Sequence, residues 1–242
     1  MDITEITAIT KNYQTARSTM TRLVKKGYAL RPHQGIYAAV PLEMTDAYHV
    51  NRYILAHKVA RAEGALCLHS ALELLGVAQS YFNTAFYSTA RPRRGFKFQG
   101  IDYKFMTTEH MFGMQEMMTE GVKIRVTDRE RTFIDCIRNI ELCGGLEETL
   151  KSLGGFHTID TKVLGGYLKA FSERSLNQRT GYVLTLLREP LRISEEFLEA
   201  LKMSCGKRTY YLTPGTNPVK SRLDTQWNVM VPKNIEEVLR FA

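Results

Sequence analysis

The tightest constraint on this chain lies in the stretch TARSTMTRLVKK, residues 15–26, whose apolar side chains recur at helical spacing. Ala16, Met20, Leu23 and Val24 fall at i, i+4, i+7 and i+8, a single stripe that has to be buried. At about 100° per residue, the opposite face presents Gln14, Ser18, Thr21, Arg22 and Lys25. These are side chains that reach base edges and phosphates. Gly27 stands where a helix ends in a left-handed residue, and Lys25 and Lys26 occupy the last turn, where cations suit the helix dipole. Residues 28–31 and 36–39 then read as two short strands around a Pro32-His33-Gln34-Gly35 turn, with Arg31, His33 and Gln34 at its tip. Upstream, Ile3, Ile6 and Ile9 recur in a short segment that Asp2 is placed to cap. Two short helices followed by a hairpin predict a winged helix-turn-helix at residues 1–42 that docks on double-stranded DNA.

Charge points the same way. The chain of 242 residues has a formal net charge of +8, which favours a polyanionic partner without dictating a fold. Residues 11–35 hold Lys11, Arg17, Arg22, Lys25, Lys26 and Arg31 and no acid, so the excess is concentrated on one short stretch. The length allows one large or two ordinary domains, and 44% hydrophobic residues are enough for a real core. Cys67, Cys136, Cys143 and Cys205 lie far apart with no C-x-x-C pair, so they read as buried thiols rather than a zinc site or disulfide framework. No basic-then-apolar leader and no run of eighteen apolar residues occurs, so the expectation is a cytoplasmic protein with no membrane contact.

Residues 43–242 read as a larger mixed α/β domain, making the whole chain α+β. A helix capped by Thr45 is expected to run to about Arg61, and another from Leu66 to Val77 to end at a glycine. The period then changes: residues 85–87, 96–98, 101–105 and 122–126 predict strands of a mixed sheet. Helices return at about 129–140, 146–153, 161–171, 176–187 and 194–203, punctuated by the pairs Gly144-Gly145, Gly154-Gly155 and Gly165-Gly166. Strands at 208–212 and 226–231 and a last helix from Ile235 complete the expected order.

Several clusters need weighing. Arg91, Arg93, Arg94 and Lys97, with Lys104 nearby, form a secondary basic surface: a further phosphate contact, a partner surface or, most plainly, a solvated loop between strands. His69 precedes an apolar helix with no second ligand at metal spacing, which favours a structural histidine. Asp102-Tyr103-Lys104 matches the carboxylate-x-lysine half of a metal-dependent nuclease, a short match that arises often by chance. Asp128, Arg129, Glu130, Arg131 and Asp135 surround Phe133 and Ile134, as ion pairs on one helix face do. No phosphate-binding glycine loop, dinucleotide fingerprint, H-E-x-x-H or nucleophile elbow is present. The expectation is therefore a non-enzymatic protein with no catalytic residues, metal or cofactor.

Read as an ordered set, HSALELLG at 69–76, DRERTFID at 128–135, GGLEE at 144–148 and NQRTGYVL at 177–184 resemble the AbiEi antitoxin family. RLDTQWN at 222–228 is similar to that family's C-terminal strand, so the resemblance spans nearly the whole chain. It departs from the usual pattern at the N-terminus, where the helix before Ile3 is short or missing. The resemblance implies a DNA-binding antitoxin of a type IV toxin-antitoxin system tied to abortive phage infection. Such a protein represses its own operon at inverted repeats, which a second copy of itself would share. The functional partner implied is a nucleotidyltransferase-like toxin, opposed without a stable complex.

On the DNA, Gln14, Thr15, Arg17, Ser18, Thr21 and Arg22 are expected nearest to bases or flanking phosphates. Lys11, Lys25 and Lys26 would bind phosphate, and Arg31 and His33 would follow the backbone or the adjacent minor groove. Two alternatives remain open: a metal-dependent nuclease or other nucleic-acid enzyme, and an adaptor whose winged helix holds a partner protein.

Overall fold

Asp2 sets the first helix. Its carboxylate accepts the Thr4 amide at 2.8 Å while Glu5 accepts the Asp2 amide at 3.0 Å, a reciprocal cap that starts α1 (Ile3–Thr10). Lys11 ends it in the left-handed conformation, and Asn12, accepting the Thr15 amide at 3.0 Å, starts α2 (Tyr13–Lys25) two residues ahead of the expected position. Strands β1 (Ala29–His33) and β2 (Ile36–Ala39) follow as an antiparallel pair. Ile6, Ala16, Met20, Ala29 and Tyr37 form one small core, with Ile3, Leu23 and Val24 packed against it. Ile9 was expected on the same stripe, yet it is 71% exposed. Each step of three residues falls about 60° short of a full turn, so the third isoleucine has rotated off the buried face.

The hairpin also differs from expectation. The structure, a computed structural model, describes residues 1–44, 48–214 and 217–235, and in it β1 runs through Pro32, so the turn shrinks to Gln34-Gly35, with Gly35 at φ +77°. Pro32 offers no N–H to a ladder, and the pairing is irregular between Leu30 and His33. Arg31 consequently sits back from the tip, its guanidinium 5.9 Å over the Tyr37 ring. The first residues pair with the hairpin: the Met1 ammonium donates to the Tyr37 carbonyl at 2.7 Å and the Ile3 amide to the Gly35 carbonyl at 2.8 Å.

Contacts divide the chain into two compact units. The first takes Met1–Leu66, Asn83–Thr108 and Glu116–Arg125; the second takes Cys67–Phe82, Glu109–Gln115 and Val126–Ala242. The first 42 residues thus share a unit with sheet strands that come later in the chain.

In the first unit, α3 (Arg52–Val59) starts at Asn51, whose side chain accepts the Tyr53 and Ile54 amides; the cap expected at Thr45 lies outside the described residues. Strands β3 (Ala65–Leu66), β4 (Thr84–Thr89), β5 (Phe96–Phe98), β6 (Ile101–Thr107), β7 (Met114–Thr119) and β8 (Val122–Thr127) form a sheet in the order β5-β6-β4-β3-β8-β7. β4 and β6 run parallel and β5 lies antiparallel on the edge beside β6, confirming a mixed sheet. β7 was not expected, because MQEMMT has no alternation and one β-branched residue. It is carried by its neighbour β8 and by a Lys123–Glu116 ion pair of 2.9 Å.

The second unit is mainly helical: α4 (Leu68–Leu74), α5 (Arg129–Arg138), α6 (Gly145–Gly154), α7 (Thr161–Phe171), α8 (Arg174–Leu186), α9 (Arg188–Leu191) and α10 (Glu195–Met203). Strands β9 (Tyr210–Tyr211), β10 (Ser221–Asp224) and β11 (Val229–Pro232) form a small sheet in the order β10-β11-β9. Gly144 and Gly145, at φ +93° and +85°, lead into α6, and Gly154-Gly155 close it. Gly165-Gly166 do not punctuate as expected; they sit inside α7, where the helix caps at either end supply the boundaries. Of the last expected helix only Ile235 is described.

The stretches that carry the family resemblance become packing contacts here. The Trp227 indole lies against α8 at Gly181, its Nε1 donating to Thr185 Oγ1 at 2.9 Å while Gln178 Nε2 donates to the Trp227 carbonyl at 2.8 Å. Arg131, 1% exposed, donates to Asp135 at 3.0 Å and to the His110 and Phe112 carbonyls, and its guanidinium faces the Phe112 and Phe171 rings at 4.9 Å. The ion pairing expected on the face of α5 is present as Arg131–Asp135, and it is buried. Among the described residues no helix is long and apolar enough to cross a membrane.

Candidate nucleic-acid interface

Burying Ala16 and Met20 against α1 and the hairpin leaves the other side of α2 to solvent. Gln14, Arg17, Ser18, Thr21, Arg22 and Lys25 line a shallow depression of about 480 Å³ on that side, and all six are exposed. The helix backbone partly fixes two of them. Ser18 Oγ donates to the Thr15 carbonyl at 3.1 Å and Thr21 Oγ1 to the Arg17 carbonyl at 2.8 Å, so each hydroxyl oxygen offers its lone pairs outward. Thr15 is exposed, with its amide committed to the Asn12 cap. Lys11 and Lys26 flank the helix at its two ends, each exposed at a cap position.

Four other cations of the first unit are paired with carboxylates. Lys58 binds Glu5 at 2.8 Å, Arg93 binds Glu63 at 3.0 Å, Lys97 binds Asp102 at 3.1 Å and Lys123 binds Glu116 at 2.9 Å. Lys11, Arg17, Arg22, Lys25 and Lys26 have no ion-pair partner among the described residues. Five unpaired cations on and beside one helix repel one another, and an anion that bridges them relieves that repulsion. The Lys58 ammonium holds Glu5 below the usual carboxylate range and ties α1 to α3. Burial, with Lys58 and Arg125 nearby, pushes His57 down, and its Nδ1 lies 3.0 Å from the Tyr87 hydroxyl.

The hairpin brings its residues to two different places. Arg31 is exposed over Tyr37, whereas His33 packs its ring on Phe96 of β5 at a centroid distance of 4.9 Å. Phe96 in turn stacks on Tyr103 at 4.4 Å. Sequence reasoning did not find this support, nor Asn12 as the cap, nor the exposed aromatics Tyr13 and Tyr28 at the two ends of α2. Asn12 was legible as an N-cap residue type; the Phe96 contact joins residues too distant in sequence for any local pattern to show.

The secondary basic cluster is divided. Arg93 is a structural residue, donating to the Val59 carbonyl at 3.2 Å as well as to Glu63. Lys97 is paired but 81% exposed, Lys104 lies 5.7 Å over the Phe86 ring, and Arg91 and Arg94 are exposed.

Asp102 faces Lys97, and no group of three or more His, Cys, Asp or Glu able to hold a metal occurs among the described residues. His69 is fully buried, 3.3 Å from both Glu73 and Glu148, and stacked on Phe82 at 3.7 Å. Glu148 also accepts the Gln79 and Ser80 amides, so this cluster ties a loop to two helices. Cys67, Cys136 and Cys143 are buried, and burial pushes the Cys136 thiol up.

No known family profile matches the chain. No curated protein is detectably similar to it. Among solved structures it is similar to the RV2827C protein from Mycobacterium tuberculosis, at a TM-score of 0.70, covering 96% of this chain and 86% of that one with 15% identical residues. At that identity the likeness is one of fold, and it fits the mixed α/β architecture.

Proposed function

We propose that residues 1–42 are a winged helix-turn-helix, that α2 enters the major groove of double-stranded DNA, and that the protein represses its own operon as the antitoxin of a type IV toxin-antitoxin system. The observation that carries the DNA-binding part is the unpaired, acid-free face of α2, in a unit where Lys58, Arg93, Lys97 and Lys123 are each held by a carboxylate. Gln14, Thr15, Arg17, Ser18, Thr21 and Arg22 meet base edges and the phosphates beside them; Lys11, Lys25 and Lys26 meet phosphate alone. Arg31, on the hairpin, follows the backbone. His33 reaches DNA only by its free edge, because its ring is already packed on Phe96.

The antitoxin part rests on the ordered resemblance of the second unit's sequence to AbiEi antitoxins. On this reading two copies occupy an inverted repeat, and the toxin opposed is nucleotidyltransferase-like and needs no stable complex. A promoter-reporter assay combined with footprinting of the upstream region tests it. The full chain protects an inverted repeat and lowers reporter output, and co-expression relieves growth arrest by the toxin. Arg22→Ala relaxes sequence preference at a cost of about 1–3 kcal/mol if Arg22 pairs with guanine. Lys25→Ala weakens all sequences alike and flattens the salt dependence by about one unit of slope. A protein that protects no DNA, yet captures a partner stoichiometrically, is an adaptor and refutes the proposal.

A further inference from the structure

The connection from β4 to β5 is built to hold two arginines outward, and it leads into Phe96, on which the hairpin's His33 packs. No acid occurs between Glu73 and Asp102, while the connection itself carries Arg91, Arg93 and Arg94 in six residues. It is pinned at three points. Thr89 Oγ1 donates to the Arg91 carbonyl at 2.8 Å. Arg93 donates to the Val59 carbonyl and to Glu63. Gly95 lies so close to β6 that a Cβ there would stand 2.6 Å from the Tyr103 carbonyl oxygen. Pro92 further restricts the backbone between the first two pins.

The side chains left over are Arg91 and Arg94, both exposed and with no ion-pair partner among the described residues. The next residue after Gly95 is Phe96, the ring on which His33 of β1 packs at 4.9 Å. Arg94 is two residues from that contact, within about 7 Å of Phe96 along the chain. The fixed loop thus ends at the residue on which His33 packs.

We propose that Arg91 and Arg94 form a second phosphate clamp on double-stranded DNA, gripping the backbone next to the stretch followed by the hairpin. This rests on the reading of α2 as a DNA-binding helix and extends its footprint. Arginine suits the task because its planar fork meets two phosphate oxygens at once, and a pinned loop loses little freedom on binding. Arg93 has the opposite role: it is spent inside the protein, and its bonds to Val59 and Glu63 tether the connection. Lys97, bridged to Asp102 at the edge of the sheet, contributes to the local potential without being free to clamp.

The test is fluorescence anisotropy of the full chain on a random-sequence DNA duplex of about 30 base pairs, at about 50 to 200 mM salt. Each phosphate neutralised contributes about 0.9 to the slope of log affinity against log salt, so two contacts multiply the affinity loss over this fourfold salt range by about 12. Arg91→Ala with Arg94→Ala is expected to lose that 12-fold salt sensitivity, and Arg91→Lys with Arg94→Lys to keep most of it. Lys162→Ala with Lys169→Ala, removing the same charge from exposed positions on α7, is expected to match the wild type. The inference is overturned if the arginine pair matches the wild type, or if the α7 pair loses as much, which would make the effect one of net charge. A wild-type chain that binds no duplex overturns the DNA reading itself, an outcome distinct from either.

Discussion

Gly181→Ala separates local helix propensity from packing. In an exposed helix the change stabilises by about 1 kcal/mol. Here the new Cβ would stand 2.1 Å from Cζ3, 2.3 Å from Cε3 and 2.5 Å from Cη2 of Trp227, a ring that is 1% exposed. The indole has little room to yield, since its Nε1 is bonded to Thr185, the Trp227 amide to Asp224 and the Trp227 carbonyl to Gln178. Overpacking costs about 1–3 kcal/mol, and losing the indole hydrogen bond about 1 kcal/mol more. Set against the helix gain, the net is a loss of about 1–3 kcal/mol. Trp227 is the chain's single tryptophan, so urea unfolding followed by its fluorescence reads this packing directly. The variant should unfold at lower urea with emission shifted to the red. Because the clash falls on the benzo ring, Trp227→Phe should remove most of the cost when both changes are combined, read by circular dichroism. A Gly181→Ala protein with unchanged emission and equal or higher stability refutes the reasoning.

Met20→Ala opens the small core shared by α1, α2 and the hairpin and should cost about 2–3 kcal/mol, seen as faster amide exchange in residues 1–40 and weaker duplex binding, with Trp227 emission unchanged. Arg131→Ala leaves Asp135 buried without its partner and should cost about 3–5 kcal/mol in thermal or urea unfolding. Burial already holds Asp135 above the usual carboxylate pKa, and losing Arg131 raises it further. A raised carboxylate pKa stabilises the folded state below the unfolded value, and that stabilisation is lost as pH rises through the folded value. The deficit of Arg131→Ala should therefore narrow as pH falls from neutrality toward 3.8, the ordinary value, and a deficit independent of pH would contradict the buried-pair account.

Much of the fold was legible because it follows local rules. The stripe Ala16, Met20, Leu23 and Val24 is the buried or half-buried side of α2, and α7 spans the residues its periodicity marked. Where reading failed, tertiary context decided. Pro32 stayed inside a strand because a two-stranded hairpin has only edges, and β7 formed beside β8 without strand propensity of its own. Arg131 reads as one ion-pairing charge on a helix face, and only the approach of His110, Phe112 and Phe171 makes it a buried residue. The candidate site divides similarly. Its α2 face was readable from period and charge, whereas the support of His33 by Phe96, and the division of the basic cluster into a structural Arg93 and outward Arg91 and Arg94, depend on contacts across 30 residues or more. The resemblance-bearing stretches around Gly181 and Trp227 pack on one another, which explains their residue types without assigning them a chemistry.

The central claim is that the acid-free face of α2 binds duplex DNA, and the affinity of the full chain for a duplex as a function of salt tests it most directly. Phosphate contacts from Lys11, Lys25 and Lys26 predict a slope of about −2.7 or steeper in log affinity against log salt, flattened by about 1.8 units in Lys25→Ala with Lys26→Ala. No binding, or a slope that this double variant leaves unchanged, would contradict it.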